Sequence, residues 1–212
     1  MSNRFFITLL VVIAVIVGAF VITKDKSNTG NNANSSSAAT NHTEGSDKSG
    51  VVLVEYGDYQ CPACGQYYPI VKQVVEKYKD QITFQFRNFP LVQIHKNAFV
   101  ASRAAEAADK QGKFWEMHDM LYEQQQTWAE VSNPNTFFEG YAKQLGLDVT
   151  KFKQDMASED TNDRINADIQ AGQSLGANST PTFVLNGKKL DKNPSSLEDF
   201  NKAIEDAIKE KQ

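Results

Sequence analysis

Cysteine is nearly absent: two residues in 212, Cys61 and Cys64, and histidines number only three. A structural zinc centre takes about four nitrogen or sulfur ligands. His42 falls in a polar stretch and His95 and His118 show no ligand-like pairing, so the cysteines do not read as a metal half-site. Excess basic charge is absent too. The net charge is −4 and the isoelectric point near 5.4, with no basic stripe, which argues against nucleic acid as a partner. No internal repeat is visible. Long apolar runs are missing except for one, and that exception sets the organisation of the chain.

The exception is Phe5 to Ile22, preceded by Arg4 and followed by Lys24 and Lys26. About 18–20 apolar residues suffice to cross a bilayer, whereas a signal-peptide core is about 7–15 long. No small-x-small cleavage site follows. Residues 1–24 therefore read as an uncleaved, single-pass signal-anchor in the cell membrane, with Arg4 inside and the rest extracytoplasmic. Residues 25–50, built from Ser, Asn, Gly and Thr, cannot bury a core and read as a flexible polar linker. What remains, 51–212, is the right size for one domain.

Within it, Val51 to Val54 is a continuous β-branched run suited to a buried central strand. From Cys61 to Lys79 the period turns helical, with Pro69 expected to kink the helix. Ile82, Phe84 and Phe86 alternate with polar residues as a second strand. Helical segments then follow one another: alanine-rich 98–110, one around Phe114 to Leu121, one opened by Pro134, and one striped by Ile165 and Ile169. After Pro181, Thr182 to Leu185 reads as a strand. Asn186-Gly187 is a hairpin signal, with Lys188 to Leu190 returning. Ser195-x-x-Glu198 resembles a capping box for a last helix. The class is α/β, with a helical insertion at about 92–176.

The cysteine pair sits where the first strand gives way to a helix. There, unpaired N–H groups and the helix dipole favour a thiolate on Cys61, and in Cys-x-x-Cys pairs at such termini the value falls to roughly 3.5–7.5. Cys64, one turn on, lies close enough to bond. Pro62 suits a first helical turn. A static disulfide is the competing reading in an oxidising compartment, but so short a loop gains little from closure. Attack on Cys61 gives a mixed disulfide that either partner resolves. Glu55, inside an apolar strand, is costly there unless it has a role. The functional reading is a proton acceptor beneath the pair, and the competing one is a strand-end carboxylate reaching solvent.

Together these residues resemble the DsbA-like thiol–disulfide oxidoreductases of the thioredoxin superfamily. The resemblance covers about 51–212. It rests on strand-Glu55-x5-Cys61-Pro62-Ala63-Cys64, on Pro69, on Thr180-Pro181-Thr182-Phe183-Val184 before Asn186-Gly187, and on the 120 residues between Cys61 and Pro181. It implies a thioredoxin-like fold with the insertion between the second strand and the cis-proline strand. It implies further that Pro181 is cis, across from Cys61, and that the Thr180 backbone pairs with an extended substrate chain. Arg87 is the candidate cation for Glu55. Pro-Ala replaces the Pro-His of the best-known periplasmic oxidase.

The expected activity is a membrane-anchored thiol–disulfide oxidase acting on reduced or unfolded exported proteins. Its catalytic residues are Cys61, Cys64 and Glu55, its active-site loop Pro62 and Ala63, and its substrate clamp Thr180 and Pro181. No cofactor or metal is needed, since the disulfide is the redox group. The resemblance implies reoxidation by a membrane quinone-linked protein. Two alternatives stand beside it, a reductase or isomerase, and a binding module or chaperone with an inert pair. Trp115 and Phe114 are read as helical core and Asp58 and Tyr59 as the rim of the active-site groove, while His95, after the second strand, is either close to the site or an ordinary helix-start histidine.

Overall fold

The computed structural model describes residues 38–212. The expected signal-anchor, 1–24, and the first half of the expected linker lie outside them. No helix among the described residues is long and apolar enough to cross a membrane.

Five strands form one mixed sheet in the order β1-β3-β2-β4-β5: β1 His42–Gly45, β2 Val52–Gly57, β3 Thr83–Asn88, β4 Thr182–Leu185 and β5 Lys188–Lys189. β2 and β3 run parallel, joined by helix α1, Pro62–Tyr78. Six helices separate β3 from β4: α2 Ala98–Asp109, α3 Phe114–Glu123, α4 Gln125–Trp128, α5 Asn135–Gln144, α6 Val149–Met156 and α7 Glu159–Ser174. α8, Leu197–Lys211, closes the described chain against α1.

Strand alternation divides the core. Leu53 joins the large cluster with Val71, Val74, Phe183 and Phe200, whereas Tyr56 turns to a smaller one with Phe89, Ala177 and Val184. Full burial of a side chain such as Phe183 contributes about 1.5–3 kcal/mol. α2 buries Ala101, Ala104, Ala105, Ala107 and Ala108, and these small side chains let α3 and α6 approach closely. Asn186 and Gly187 both have positive φ, 50° and 79°, as the hairpin between β4 and β5 requires. Pro69 lies inside α1 without ending it.

Two expectations are corrected. The cap of α8 is Ser196, which accepts from the Asp199 N–H at 3.1 Å, while Asp199 reaches back to the Ser195 N–H at 3.0 Å. The box is therefore Ser196-x-x-Asp199, one residue later than expected. The second correction concerns the linker, whose last part is ordered: β1 pairs antiparallel with β3. Its polar side chains find buried partners in the insertion. The Thr40 N–H and hydroxyl donate to Asp168 at 2.8 and 2.7 Å, and His42 Nε2 meets Glu106 at 2.7 Å while stacking on Phe114. Hydrogen bonding, rather than apolar burial, holds this segment, so its composition misled. His42, Glu106 and Asp109 lie within ligand distance of one another. Arg164 bonds both acids, at 3.2 and 2.8 Å, which makes the group an ion-pair network. Burial pulls His42 down, yet its bonds to Asp109 and Glu106 hold it above its ordinary value.

Candidate active site

Cys61 caps α1 with extended backbone, φ −65° and ψ 121°, and Pro62 fills the first helical position without an N–H to orphan. Cys61 is 7 % exposed and Cys64 fully buried one turn later. Both thiols are free. The Cys61 thiol donates to the Thr180 carbonyl at 3.5 Å. The Thr180–Pro181 peptide is cis, as the resemblance implied. The Thr180 hydroxyl is buried with no other partner, placed to donate to the Cys61 sulfur once that is a thiolate.

The two sulfurs are electrostatically unequal. Cys61 is brought down to about 5, chiefly by the hydrogen bond from the Cys64 thiol. Burial opposes this, and Thr180 and the backbone amides of Cys64 and Ala63 reinforce it. Burial, then the bond to Cys61 and the charge of Glu55, pushes Cys64 well above the usual thiol range. One sulfur is thus a thiolate at neutral pH and the other a protonated thiol. The pair can open a disulfide, and it can release one through a stabilised leaving group.

Residues 37–206 match the family model described as Thioredoxin, most of the chain. The chain belongs to the thioredoxin family. Solved members share its fold. A thioredoxin-like oxidoreductase from Silicibacter pomeroyi DSS-3 is 26 % identical, with a TM-score of 0.66 over 80 % of this chain and 92 % of that one. BdbD from Bacillus subtilis in its oxidised form is 24 % identical, TM-score 0.69, over 81 % and 97 %. α-DsbA1 from Wolbachia pipientis is 18 % identical, TM-score 0.69, over 81 % and 92 %. The Na(+)/H(+) antiporter NhaA 1 of Salinispora arenicola is 38 % identical over 148 residues, 70 % of this chain. This chain spans only 22 % of that antiporter, so the antiporter name describes a protein most of whose length has no counterpart here. The architecture of this chain is shared with all three solved proteins.

An acid lies in the sheet close enough to act on both cysteines. Glu55 sits on β2 opposite Phe86 of β3 and Phe183 of β4, both fully buried, and is itself 3 % exposed. Burial, followed by the negative charge of Cys61, pushes its carboxyl up to about 8. The solvent-reaching alternative is thereby excluded. Arg87 is not its partner. Arg87 sits opposite Tyr56, on the other face of the sheet, and pairs with Asp168 at 3.1 Å. No cation is paired with Glu55 among the described residues. Trp115 and Phe114 pack in the core around His118. That imidazole is brought down to about 3 by burial first and stays neutral.

The residues that hold the active-site loop were the ones sequence reasoning passed over. Gln125 Nε2 donates to the carbonyls of Tyr59 and Cys61, at 2.7 and 3.0 Å, and a Cβ on Gly65 would meet its Oε1 at 2.6 Å. Gln60 donates to the Ala129 carbonyl at 2.6 Å and accepts from the Asn97 N–H at 2.6 Å. Asp58, expected at the rim, is fully buried and accepts from the Gln60, Cys61 and Leu91 N–H groups. An Asp three residues before a helix-capping cysteine was a readable signal. Gln125, 64 residues from Cys61, carried none.

Proposed function

We propose that the chain is a DsbA-type thiol–disulfide oxidoreductase and that it runs as an oxidase, donating disulfides to reduced exported proteins outside the membrane. The observation that carries the reading is the inequality of the sulfurs, with Cys61 at about 5 and Cys64 far above. A stabilised Cys61 thiolate favours the reduced enzyme, and a pair whose reduced form is stabilised is a strong oxidant.

The chemistry balances as follows. A substrate thiolate attacks Cys61 Sγ. The Cys61–Cys64 bond breaks, and Cys64 leaves as a thiolate that takes the proton of Glu55. A second substrate thiolate attacks the substrate sulfur of the mixed disulfide, forming the substrate disulfide and expelling the Cys61 thiolate. Reoxidation reverses the order. Cys61 attacks the disulfide of the redox partner, Glu55 takes the Cys64 proton, and the Cys64 thiolate attacks Cys61 Sγ to expel the partner as a thiolate. Glu55 serves as acid in one half and base in the other, a role suited to a carboxyl near 8. The backbone of Thr180, ahead of Pro181, pairs with the extended substrate chain.

The apolar run Phe5–Ile22 supports a tether in the cell membrane. A surface-tethered oxidase needs an electron acceptor in the same membrane, and an integral quinone-linked protein fits that place.

The deciding measurement is the reduction potential of the full chain equilibrated in glutathione buffers. A value well above the glutathione couple supports the oxidase. A value at or below it moves the reading to a reductase or isomerase. Failure of the pair to exchange at all, with no mixed disulfides on thiol trapping, would leave a binding module on the same fold.

A further inference from the structure

The hydroxyl of Tyr122, on α3, is buried and meets no hydrogen-bond partner among the described residues. A buried polar group without a partner is rare and calls for a reason. Side chains two apart on a strand share a face, so a Cβ on Gly57 would point the same way as Glu55. That Cβ would lie 2.9 Å from the Tyr122 hydroxyl oxygen. Glycine at 57 thus leaves the space that the hydroxyl enters, beside Glu55 along β2.

Tyr122 and Glu55 also line one cavity of about 10 Å³, room for a single water. Its other polar lining is Glu44 of β1, Tyr68 and Lys72 of α1, and His118 of α3. Three of these are engaged elsewhere. Lys72 pairs with Asp119 at 2.7 Å, Tyr68 donates to Glu123 at 3.2 Å, and His118 Nδ1 meets the Tyr59 hydroxyl at 3.1 Å. Glu44 is a half-buried acid whose carboxyl burial raises. Tyr122 is left as the donor without a partner. Burial first, then the charges of Cys64 and Glu55, holds its phenol well above the usual range, so it keeps its proton. Outside the cavity, Glu55 faces Cys61 and Cys64, and its charge reaches the phenols of Tyr59 and Tyr67, both raised by burial first.

We propose that Tyr122 is a positioning residue for the proton of Glu55, its hydroxyl donating through one water in this cavity to the Glu55 carboxylate. The bond is strong only while Glu55 is ionised, after the acid has passed its proton to Cys64 or before it takes one back. It therefore favours the charged carboxylate and offsets part of what burial does to it. Tyr122 touches neither substrate nor sulfur in this role and acts through Glu55. The inference rests on Glu55 as the acid and base of the exchange.

The test uses the full chain, reduced, with the infrared band of the protonated carboxyl followed against pH. The band that titrates at about 8 is assigned to Glu55 by its loss in Glu55→Gln. Tyr122→Phe removes the O–H and keeps the ring. The Glu55 midpoint then rises by about one unit, the loss of one hydrogen bond to a charged group. Resolution of mixed disulfides at neutral pH slows about tenfold, because about a tenth as much Glu55 is ionised. In the Glu55→Gln background, adding Tyr122→Phe leaves that rate unchanged. Urea unfolding below about pH 4.5, where Glu55 is protonated in the fold, measures any packing cost separately. A lost packing contact alone would lower stability there and leave the Glu55 titration in place. A Glu55 midpoint unmoved or lowered by Tyr122→Phe overturns the proposal, whatever the unfolding shows. A parent chain with no carboxyl titrating near 8 sinks the reading of Glu55 itself. A parent titration that is present but indifferent to Tyr122→Phe sinks this inference alone.

Discussion

The carbonyl oxygen of Thr180 stands 3.5 Å from the sulfur of Cys61, across 119 residues of chain. The contact joins the N-cap of α1, four residues after β2, to the residues just ahead of β4, and β2 and β4 lie side by side in the sheet. The proposed exchange chemistry and the proposed substrate clamp would thereby share one sulfur's reach.

Cys61→Ser should abolish dithiol turnover, and Cys64→Ala should trap substrate as mixed disulfides. Gel analysis after acid quenching with a thiol-alkylating reagent reads both. Turnover surviving in Cys61→Ser would remove the assignment of the nucleophile.

Glu55→Gln should flatten the pH dependence of stability. The folded carboxyl, at about 8, lies above its ordinary 4.5, so the folded state holds the proton more tightly than the unfolded chain. No penalty exists below about pH 4.5. Above it stability falls, reaching a cost on the order of 3 kcal/mol at pH 7 and about 5 kcal/mol beyond pH 8. Urea unfolding of reduced protein at a series of pH values should show this slope in the parent and lose it in the variant, which should also resolve mixed disulfides more slowly. Identical slopes in the two proteins would mean that Glu55 is ionised in the fold.

Gly57→Ala should destabilise by about 1–3 kcal/mol. A Cβ there would lie 2.4 Å from Phe86 Cε2 and 2.9 Å from the Tyr122 hydroxyl oxygen, both belonging to buried side chains. The urea midpoint of the variant checks this, and an unchanged midpoint would contradict the close approach of those rings to β2.

Removing residues 1–49 should cost more than removing 1–37. The longer deletion strips β1 from the sheet edge and takes Thr40 from Asp168 and His42 from Glu106. Breaking buried charged contacts of this kind costs about 3 kcal/mol or more. Equal stability of the two truncations by urea unfolding would show that β1 adds nothing to the fold.

Much of the site was legible from short-range pattern. Cys61, Pro62 and Cys64 declare a helix start by spacing alone, and a carboxylate at Glu55 within an apolar strand declares a buried acid, because burial cost depends on the neighbours in its own strand. The Asn186-Gly187 turn and the alanine-rich α2 were readable for the same local reason. What the sequence could not carry was the pairing of groups far apart in the chain. Arg87 went to Asp168, because strand alternation put it opposite Tyr56 on the far face from Glu55. A polar stretch ending at Gly45 became an edge strand, because Asp168 and Glu106, more than sixty residues away, satisfied its polar groups. Gln125 and His95 reached the active-site loop in the same manner, through side-chain hydrogen bonds that leave no periodicity behind. The sequence by itself determined the cysteine pair at a helix start, the order of the main elements from β2 onward and the buried acid, since these follow from spacing and hydrophobic period. The tertiary structure decided which charges meet and what braces the cysteines, since a hydrogen bond depends on distance in space and not along the chain.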